Sequence, residues 1–265
     1  RVCRSSTSYN VVSTCPGISS SSSTGRTYTS GLKEYGHSAA LPTDMSNKVI
    51  MFDAGLQNLK TSGVYSFNGS TVIVTGATSS STSPVGIIDT SSAFTSTYLY
   101  AHNSEWISLA TGNNGQPAGF EIGDAQYRDV AIDIQNSTLT GLASLNAAHG
   151  IGSFSGYGDW NSMFNIQNNT ISHFRGNSLP PNSGARLSDM CMTTTVDDSI
   201  VRNNVVSGCA VGVFMVPPAY DYPPSGGDSY PDRVIVEDNE FIGTEYLDVW
   251  FYFAESSNSV VRNNT

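Results

Sequence analysis

Short apolar clusters separated by small polar residues run along most of the chain. From Lys48 onward, clusters of Val, Ile, Phe and Tyr alternate with stretches of Ser, Gly and Thr, which is a pattern typical of strands and turns. No apolar pattern with helical spacing extends beyond about two turns. The pattern therefore predicts an all-β chain. Its first predicted strands are Val49–Phe52, Val64–Phe67, Val72–Val74, Val85–Ile88 and Tyr98–Tyr100.

The second half of the chain contains an internal repeat. Five segments align without gaps, and their fourth positions follow one another at intervals of 32, 35, 35 and 25 residues. The segments are Ile134–Leu139, Ile166–Ile171, Val201–Val206, Val236–Phe241 and Val261–Thr265. Repeats of this length are typical of solenoid proteins, in which each repeat stacks on its neighbour.

The fourth position of the aligned segments is Ser137 in the first segment and asparagine in the others. The asparagines are Asn169, Asn204, Asn239 and Asn264. We interpret each repeat as one coil of a parallel β-solenoid, with coils about 4.8 Å apart. An inward asparagine at the same bend of every coil can bond its amide to the asparagines above and below, which forms a ladder. The sequence therefore predicts a parallel β-helix over residues 32–265, with clear repeats over 128–265, after a Ser/Thr-rich arm at 1–31.

The repeat pattern resembles a known family. The stretch Ser199–Cys209, in which Arg-Asn-Asn is flanked by apolar residues, is similar to the repeats of right-handed parallel β-helix proteins of the pectin-lyase-like superfamily. The resemblance implies a right-handed parallel β-helix, a fold found in polysaccharide lyases, hydrolases and epimerases and also in non-enzymatic surface proteins. Among the latter, the repeats are most similar to those of fibrocystin-like cell-surface proteins.

Charge and composition exclude several classes of protein. Charged residues make up only 13% of the chain, the formal net charge is -10, and only three lysines occur. Nucleic-acid binding depends on Lys and Arg that neutralise phosphates, so no nucleic-acid partner is expected. No run of 18 apolar residues occurs, so no membrane span is expected.

The cysteines indicate an oxidising compartment. Four are present, namely Cys3, Cys15, Cys191 and Cys209. Their even number, the abundance of Ser and Thr and the scarcity of Lys favour an extracellular or cell-surface protein with disulfides. Three pairings are possible, and proximity in sequence favours Cys3 with Cys15 and Cys191 with Cys209. The alternative is that Cys191 and Cys209 are free buried thiols.

Two segments resemble catalytic elements of polygalacturonase-type hydrolases. His149, within Ala147–Ser153, is similar to the histidine turn of those enzymes, and Asp197 and Asp198 are similar to their aspartate pair. Such hydrolases use one carboxyl group as general acid and another to activate water. The two segments stand in the reverse order here, and other elements of the enzyme pattern are missing. The sequence therefore favours a non-enzymatic protein without metal or cofactor. A polysaccharide-active hydrolase or lyase is the alternative.

Two sets of residues are candidates for contacts at the surface. Acceptor sequences for N-glycans begin at Asn68, Asn136, Asn168 and Asn263. The last three share the third position of the repeat, which is expected to face outward beside the inward ladder residue, where it either carries a glycan or shapes the turn. The second set consists of aromatic residues that could contact a partner or a sugar. These are Tyr220, Tyr222, Tyr230, Trp250 and Tyr252.

The last repeat suggests how the protein assembles. Val260–Thr265 stop directly after a ladder asparagine, in the middle of a repeat. An open coil exposes unpaired backbone groups, so head-to-tail self-association or continuation in a larger chain is expected. Together these features favour an extracellular structural or adhesive module. We expect it to be glycosylated and to form part of a filament or of a larger surface protein.

Overall fold

The computed structural model of the chain consists of strands and the bends between them. In the part of the chain that it describes there is no helix, and hence none that could cross a membrane. Over the described residues, the prediction of an all-β chain is confirmed. The described residues are 2–5, 8–11, 26–27, 32–36, 43–53, 57–58, 63–75, 87–89, 97–108, 116–125, 130–141, 148–155, 163–174, 190–215, 231–251 and 256–265.

The described strands form one hairpin and three larger sheets. The antiparallel hairpin joins β1 (Val2–Ser5) and β2 (Ser8–Val11). Sheet 2 contains β3 (Arg26–Thr27), β4 (Leu32–Gly36), β5 (Val49–Asp53), β8 (Thr71–Thr75), β11 (Glu105–Ser108), β14 (Thr138–Thr140), β17 (Thr170–Ser172), β20 (Val205–Ser207) and β23 (Glu240–Ile242). Sheet 3 contains β6 (Gln57–Asn58), β9 (Ile87–Asp89), β12 (Gln116–Ala125), β15 (Ala148–Ser155), β18 (Met190–Thr194), β21 (Val211–Met215) and β24 (Leu247–Phe251). Sheet 1 contains β7 (Gly63–Ser66), β10 (Thr97–His102), β13 (Val130–Gln135), β16 (Met163–Gln167), β19 (Ile200–Arg202), β22 (Ile235–Glu237) and β25 (Val260–Arg262).

The chain visits the three sheets in a fixed order. From β5 onward, successive strands fall into sheet 2, sheet 3 and sheet 1 in turn, so each sheet takes every third strand. We call one strand of sheet 1 with the next strands of sheets 2 and 3 a repeat unit. Because the chain returns to each sheet in the same direction, neighbouring strands pair in parallel. Only β3 and β4, at one edge of sheet 2, pair antiparallel within these sheets.

The inward side chains of the sheets form one apolar core. In sheet 1, Ile134 pairs with Ile166, and the row continues through Val201 to Val236. All four side chains are 0% exposed. Successive residues of a strand face opposite sides, so alternate positions of each strand enter this core. Burial of apolar surface stabilises the stack by about 25 cal/mol per Å².

A left-handed residue lies at each described bend from sheet 1 to sheet 2. These residues have φ between 51° and 67° and are exposed. Glycine, asparagine and aspartate tolerate this conformation best, which explains why the repeat is rich in asparagine. The residues are Asn47, Gly69, Asn103, Asn136, Asn168, Asn203, Asp238 and Asn263. The third position of the repeat therefore faces outward, but through a left-handed bend rather than through alternation along a strand.

Candidate functional site

From Gly69 onward, the residue after each left-handed bend from sheet 1 to sheet 2 turns its side chain into the molecule. Asn204 Nδ2 donates to the carbonyl oxygen of Ile166 and to Asn239 Oδ1, both at 2.9 Å. Asn204 Oδ1 accepts from the backbone N–H of Asn169 at 3.0 Å and from its Nδ2 at 3.1 Å. Asn239 makes the same contacts toward Asn264. These asparagines are therefore joined by hydrogen bonds from one repeat unit to the next.

Serines take the ladder position in the earlier repeat units. The backbone N–H of Ser137 donates to Asn169 Oδ1 at 2.8 Å, and that of Ser104 donates to Ser137 Oγ at 3.0 Å. The backbone N–H of Lys48 donates to Ser70 Oγ at 3.2 Å. The sequence analysis missed Ser70 and Ser104, because the aligned repeat began at Ile134. The signal that could have found them is Gly or Asn followed by Ser at the spacing of the repeat.

Asp197 and Asp198 lie at a bend before sheet 1 and bind an arginine of the next repeat unit. Arg233 Nε lies 2.8 Å from Asp198 Oδ1, and one terminal nitrogen of Arg233 lies 2.9 Å from Asp197 Oδ2. The second oxygen of Asp197 accepts from the backbone N–H of Asp232 at 2.7 Å. Both carboxylates are thus paired with partners that fix the position of the neighbouring unit.

This pairing is unfavourable for acid catalysis by Asp198. The hydrogen bond from Arg233 holds the pKa of Asp198 below its usual value, and the aspartates raise the pKa of Arg233. A general acid must keep its proton near neutral pH, which requires a raised pKa. The arrangement therefore fits an inter-unit ion pair better than the acid of a hydrolase.

The backbone also separates His149 from the aspartate pair. His149 lies near the start of β15, opposite Pro117. Asp197 follows the end of β18, where Thr194 pairs with Ser153. Ser153 is four residues beyond His149, and at about 3.3 Å per residue this step alone is roughly 13 Å. The backbone therefore does not place these candidates around one cleft. The side chain of His149 lies outside the described residues.

A second ion-pair cluster links three strands of sheet 1. Arg202, Glu237 and Arg262 occupy equivalent register positions on β19, β22 and β25. Arg262 Nε lies 2.5 Å from Glu237 Oε2, and Arg202 binds the other oxygen of the carboxylate. The side chain of Glu237 is only 4% exposed. The hydrogen bond from Arg262, followed by that from Arg202, lowers the pKa of Glu237, although burial opposes this shift.

We expect Glu237→Gln to reduce the acid sensitivity of the free energy of unfolding. The folded-state pKa of Glu237 lies below its ordinary value of 4.5. The ion pairs therefore contribute stability that is fully present above that pH and is lost as the pH falls through the folded-state pKa. Urea denaturation at several pH values from about 6 to about 3 measures the slope of the free energy of unfolding against pH. The control is Glu240→Gln, which removes an exposed carboxylate. Equal slopes in wild type and Glu237→Gln would contradict the prediction.

A histidine and an aspartate that the sequence analysis missed meet on the outer face of sheet 1. His102 Nε2 lies 2.9 Å from Asp133 Oδ2, and the backbone N–H of His102 donates to Asn68 Oδ1 at 2.8 Å. Asp133 Oδ1 accepts from the side-chain amides of Gln135 at 2.8 Å and Asn165 at 2.9 Å. Asp133 is 7% exposed, so the imidazole is held by a buried and fully hydrogen-bonded carboxylate.

The four glycan acceptor sequences fall into two structural groups. Asn136, Asn168 and Asn263 are exposed residues at left-handed bends. Asn68 is half-buried, and its Oδ1 accepts the backbone N–H of His102 in the next repeat unit. Because that contact restrains its side chain, Asn68 is a less favourable site for a glycan in the folded protein than the other three asparagines. The structure shows the turn-forming role of the three exposed asparagines, and their glycosylation stays a prediction.

The predicted disulfide between Cys191 and Cys209 is present. Their Cα atoms lie 5.7 Å apart, and both residues are fully buried in the apolar core. The chain between them contains β19 and β20, so the bond closes most of one circuit through the sheets. The predicted pair Cys3–Cys15 lies outside the residues whose side chains the structure describes.

One of the aromatic candidates lies within the described residues. Trp250 is half-buried, and its ring packs against Phe214 of the neighbouring strand with centroids 5.0 Å apart. Phe214 forms a second apolar cluster with Met190 and Val211. Packing within the protein thus accounts for part of the Trp250 surface. The other candidates, Tyr220, Tyr222, Tyr230 and Tyr252, lie outside the described residues.

Neither a metal site among the described residues nor a similarity to known proteins indicates an activity. Within the described ranges, no group of three His, Cys, Asp or Glu side chains could hold a metal ion. No protein family, curated protein or solved structure matches the chain. The interpretation of function therefore depends on the geometry of the chain itself.

Proposed function

We propose that this chain is a right-handed parallel β-helix of the pectin-lyase-like type that serves as an extracellular structural or adhesive module. The fixed order of the three sheets and the in-register parallel pairing support a solenoid in which each repeat unit is one coil. The buried disulfide and the scarcity of lysine support an extracellular or cell-surface location.

The hydrogen-bonded ladder is the observation that carries the structural role. It joins neighbouring units through buried side chains from Ser104 to Asn264. The ion pairs of Arg233 and of Glu237 also join neighbouring units. Asp197 and Asp198, which resembled a catalytic pair, bind the neighbouring unit through Arg233, which favours a structural module over a polysaccharide-active enzyme.

An apolar face at the edge formed by β23, β24 and β25 favours assembly. Val261 is 50% exposed, although Val236, its register partner in the core, is 0% exposed. Other exposed apolar side chains at this edge of the sheets are Ile242, Tyr246, Leu247 and Val260. Exposed apolar patches mark interaction surfaces. We propose that a further coil covers this face, supplied head to tail by a second copy or by the remainder of a larger surface protein.

Self-association is testable with a substitution on this face. Val261→Asp places a charge where the next coil would pack, so it should abolish concentration-dependent assembly. Sedimentation velocity and negative-stain microscopy measure assembly of the wild type and the variant. Thr138→Asp, on an exposed position of β14, is the matched control and should assemble like the wild type. A wild-type chain that stays monomeric at all concentrations would rule out self-association as the function.

Glycans should occupy the exposed left-handed bends. In protein from its natural source, peptide mapping by mass spectrometry should show modification at Asn136, Asn168 and Asn263, because these side chains are exposed. Asn68 should be modified less, since its side chain contacts the next unit. The inward residues Asn169, Asn204 and Asn239 do not begin acceptor sequences and serve as internal controls. Unmodified asparagines at all three bends would contradict the proposal of a glycosylated surface.

A further inference from the structure

Three asparagine–serine pairs of the described residues lie at left-handed bends. The asparagines are Asn103, Asn136 and Asn258, their φ angles are 52°, 51° and 55°, and all three are exposed. An asparagine followed by a small residue can lose its side-chain amide, because the next backbone nitrogen can reach the side-chain carbonyl carbon. The three pairs share this chemistry and nearly the same φ at the asparagine, so a difference in reactivity must come from their surroundings.

The backbone N–H that would react is held by the ladder at two of these bends. The N–H of Ser104 donates to Ser137 Oγ at 3.0 Å, and the N–H of Ser137 donates to Asn169 Oδ1 at 2.8 Å. Ser104 is 8% exposed and Ser137 is 4% exposed. A buried group that loses its partner costs about 1–3 kcal/mol. These contacts must therefore break, at a cost, before either nitrogen can lose its proton.

The third bend lacks this protection. Asn258 precedes Ser259 at the bend before β25, and within the described ranges no group accepts the backbone N–H of Ser259. The side chain of Ser259 is nevertheless fixed, because its Oγ accepts the backbone N–H of Val234 at 3.0 Å. The nitrogen that would attack Asn258 thus has no hydrogen bond to break.

We propose that Asn258 is a site of spontaneous deamidation and that the ladder suppresses the same reaction at Asn103 and Asn136. Hydroxide removes the proton of the Ser259 N–H, and the nitrogen forms a bond to Cγ of Asn258. The bond from Cγ to Nδ2 then breaks, and ammonia leaves with a proton taken from water. Water adds to one carbonyl carbon of the resulting succinimide and opens the ring to aspartate or isoaspartate. The reaction consumes one water molecule per ammonia released and needs no cofactor.

Deamidation at Asn258 places a new carboxylate close to an existing ion-pair cluster. The backbone N–H of Arg233 donates to the carbonyl oxygen of Ser257 at 2.9 Å, so Asn258 follows directly after the residue that pairs with this bend. Arg233 already binds Asp197 and Asp198. The ladder thus gains a role beyond holding units together, because it preserves the asparagines that form the interior bends.

Peptide mapping of the aged full chain tests the site. Protein made without N-glycans is incubated in mildly alkaline buffer, at dilutions where sedimentation shows monomers, and mass spectrometry measures the rate at each asparagine. Short peptides around each asparagine–serine pair give the intrinsic rates for normalisation. After normalisation, Asn258 should react about tenfold faster than Asn103 and Asn136, as expected when a buried hydrogen bond must first break at those two.

The variant Asn169→Ala tests the ladder directly. It removes the acceptor of the Ser137 N–H, so deamidation at Asn136 should accelerate about tenfold. Asn103 is the internal control, because the contact of Ser104 with Ser137 Oγ remains. Circular dichroism shows whether the variant is folded, and if it is not, the comparison within the wild type decides.

Two results would overturn the proposal. One is a normalised rate at Asn258 that is no faster than the rates at Asn103 and Asn136. The other is a folded Asn169→Ala chain in which the rate at Asn136 is unchanged. Neither result bears on assembly, which sedimentation of the wild type measures separately, so the two proposals are distinguishable.

Discussion

Replacing Asn204 by alanine is expected to lower the free energy of unfolding by about 3–5 kcal/mol. The substitution removes the acceptor of the backbone N–H of Asn169 and the donor to the carbonyl oxygen of Ile166. It also breaks the amide contact to Asn239. Each buried group left without a partner costs about 1–3 kcal/mol. Urea denaturation followed by circular dichroism measures the loss.

Two further variants separate the ladder from side-chain size. Asn204→Ser retains an oxygen of the kind that Ser137 uses to accept the N–H of Ser104, so it should lose less stability than Asn204→Ala. Thr170→Ala changes an exposed position of β17 and should alter the free energy of unfolding by less than about 0.5 kcal/mol. If Asn204→Ala is as stable as Thr170→Ala, the ladder does not hold the units together.

The repeat made the strands and their parallel pairing predictable, because the same pattern of core and bend residues recurs in each unit. A core position such as Val201 and a bend such as Asn203 recur with the same neighbours in each unit, so local chemistry and stacking agree. The serine part of the ladder was not predictable from identity alone. Ser70 Oγ accepts the backbone N–H of Lys48 as Asn204 Oδ1 accepts that of Asn169, and only the backbone geometry shows that the two positions are equivalent.

Contacts between repeat units could not be predicted from the sequence, because the number of residues between equivalent positions varies from one unit to the next. Asp197 and Asp198 resembled a catalytic aspartate pair, but Arg233 is brought beside them by a circuit of 35 or 36 residues. His102 and Asp133 are 31 residues apart, and they meet only because β10 and β13 pair in a particular register.

Removing the buried disulfide with Cys191→Ala and Cys209→Ala is expected to lower the free energy of unfolding by about 3 kcal/mol. The bond closes a loop with a sequence separation of 18, and a loop of this length loses considerable entropy in the unfolded chain. Loss of the two buried sulfur atoms also removes core contacts around β18. The effect should be smaller than that of Asn204→Ala, because it leaves no buried backbone group without a partner.

Denaturation with and without a reductant distinguishes the cross-link from the packing of the sulfur atoms. A reductant should lower the stability of the wild type toward that of the double variant, because both then unfold to a chain that is open between β18 and β21. The same reductant should not lower the stability of the double variant through this site, because the bond between β18 and β21 is already absent there. If the variant matches the oxidised wild type in stability, the circuit through β19 and β20 is held by stacking on its neighbours alone.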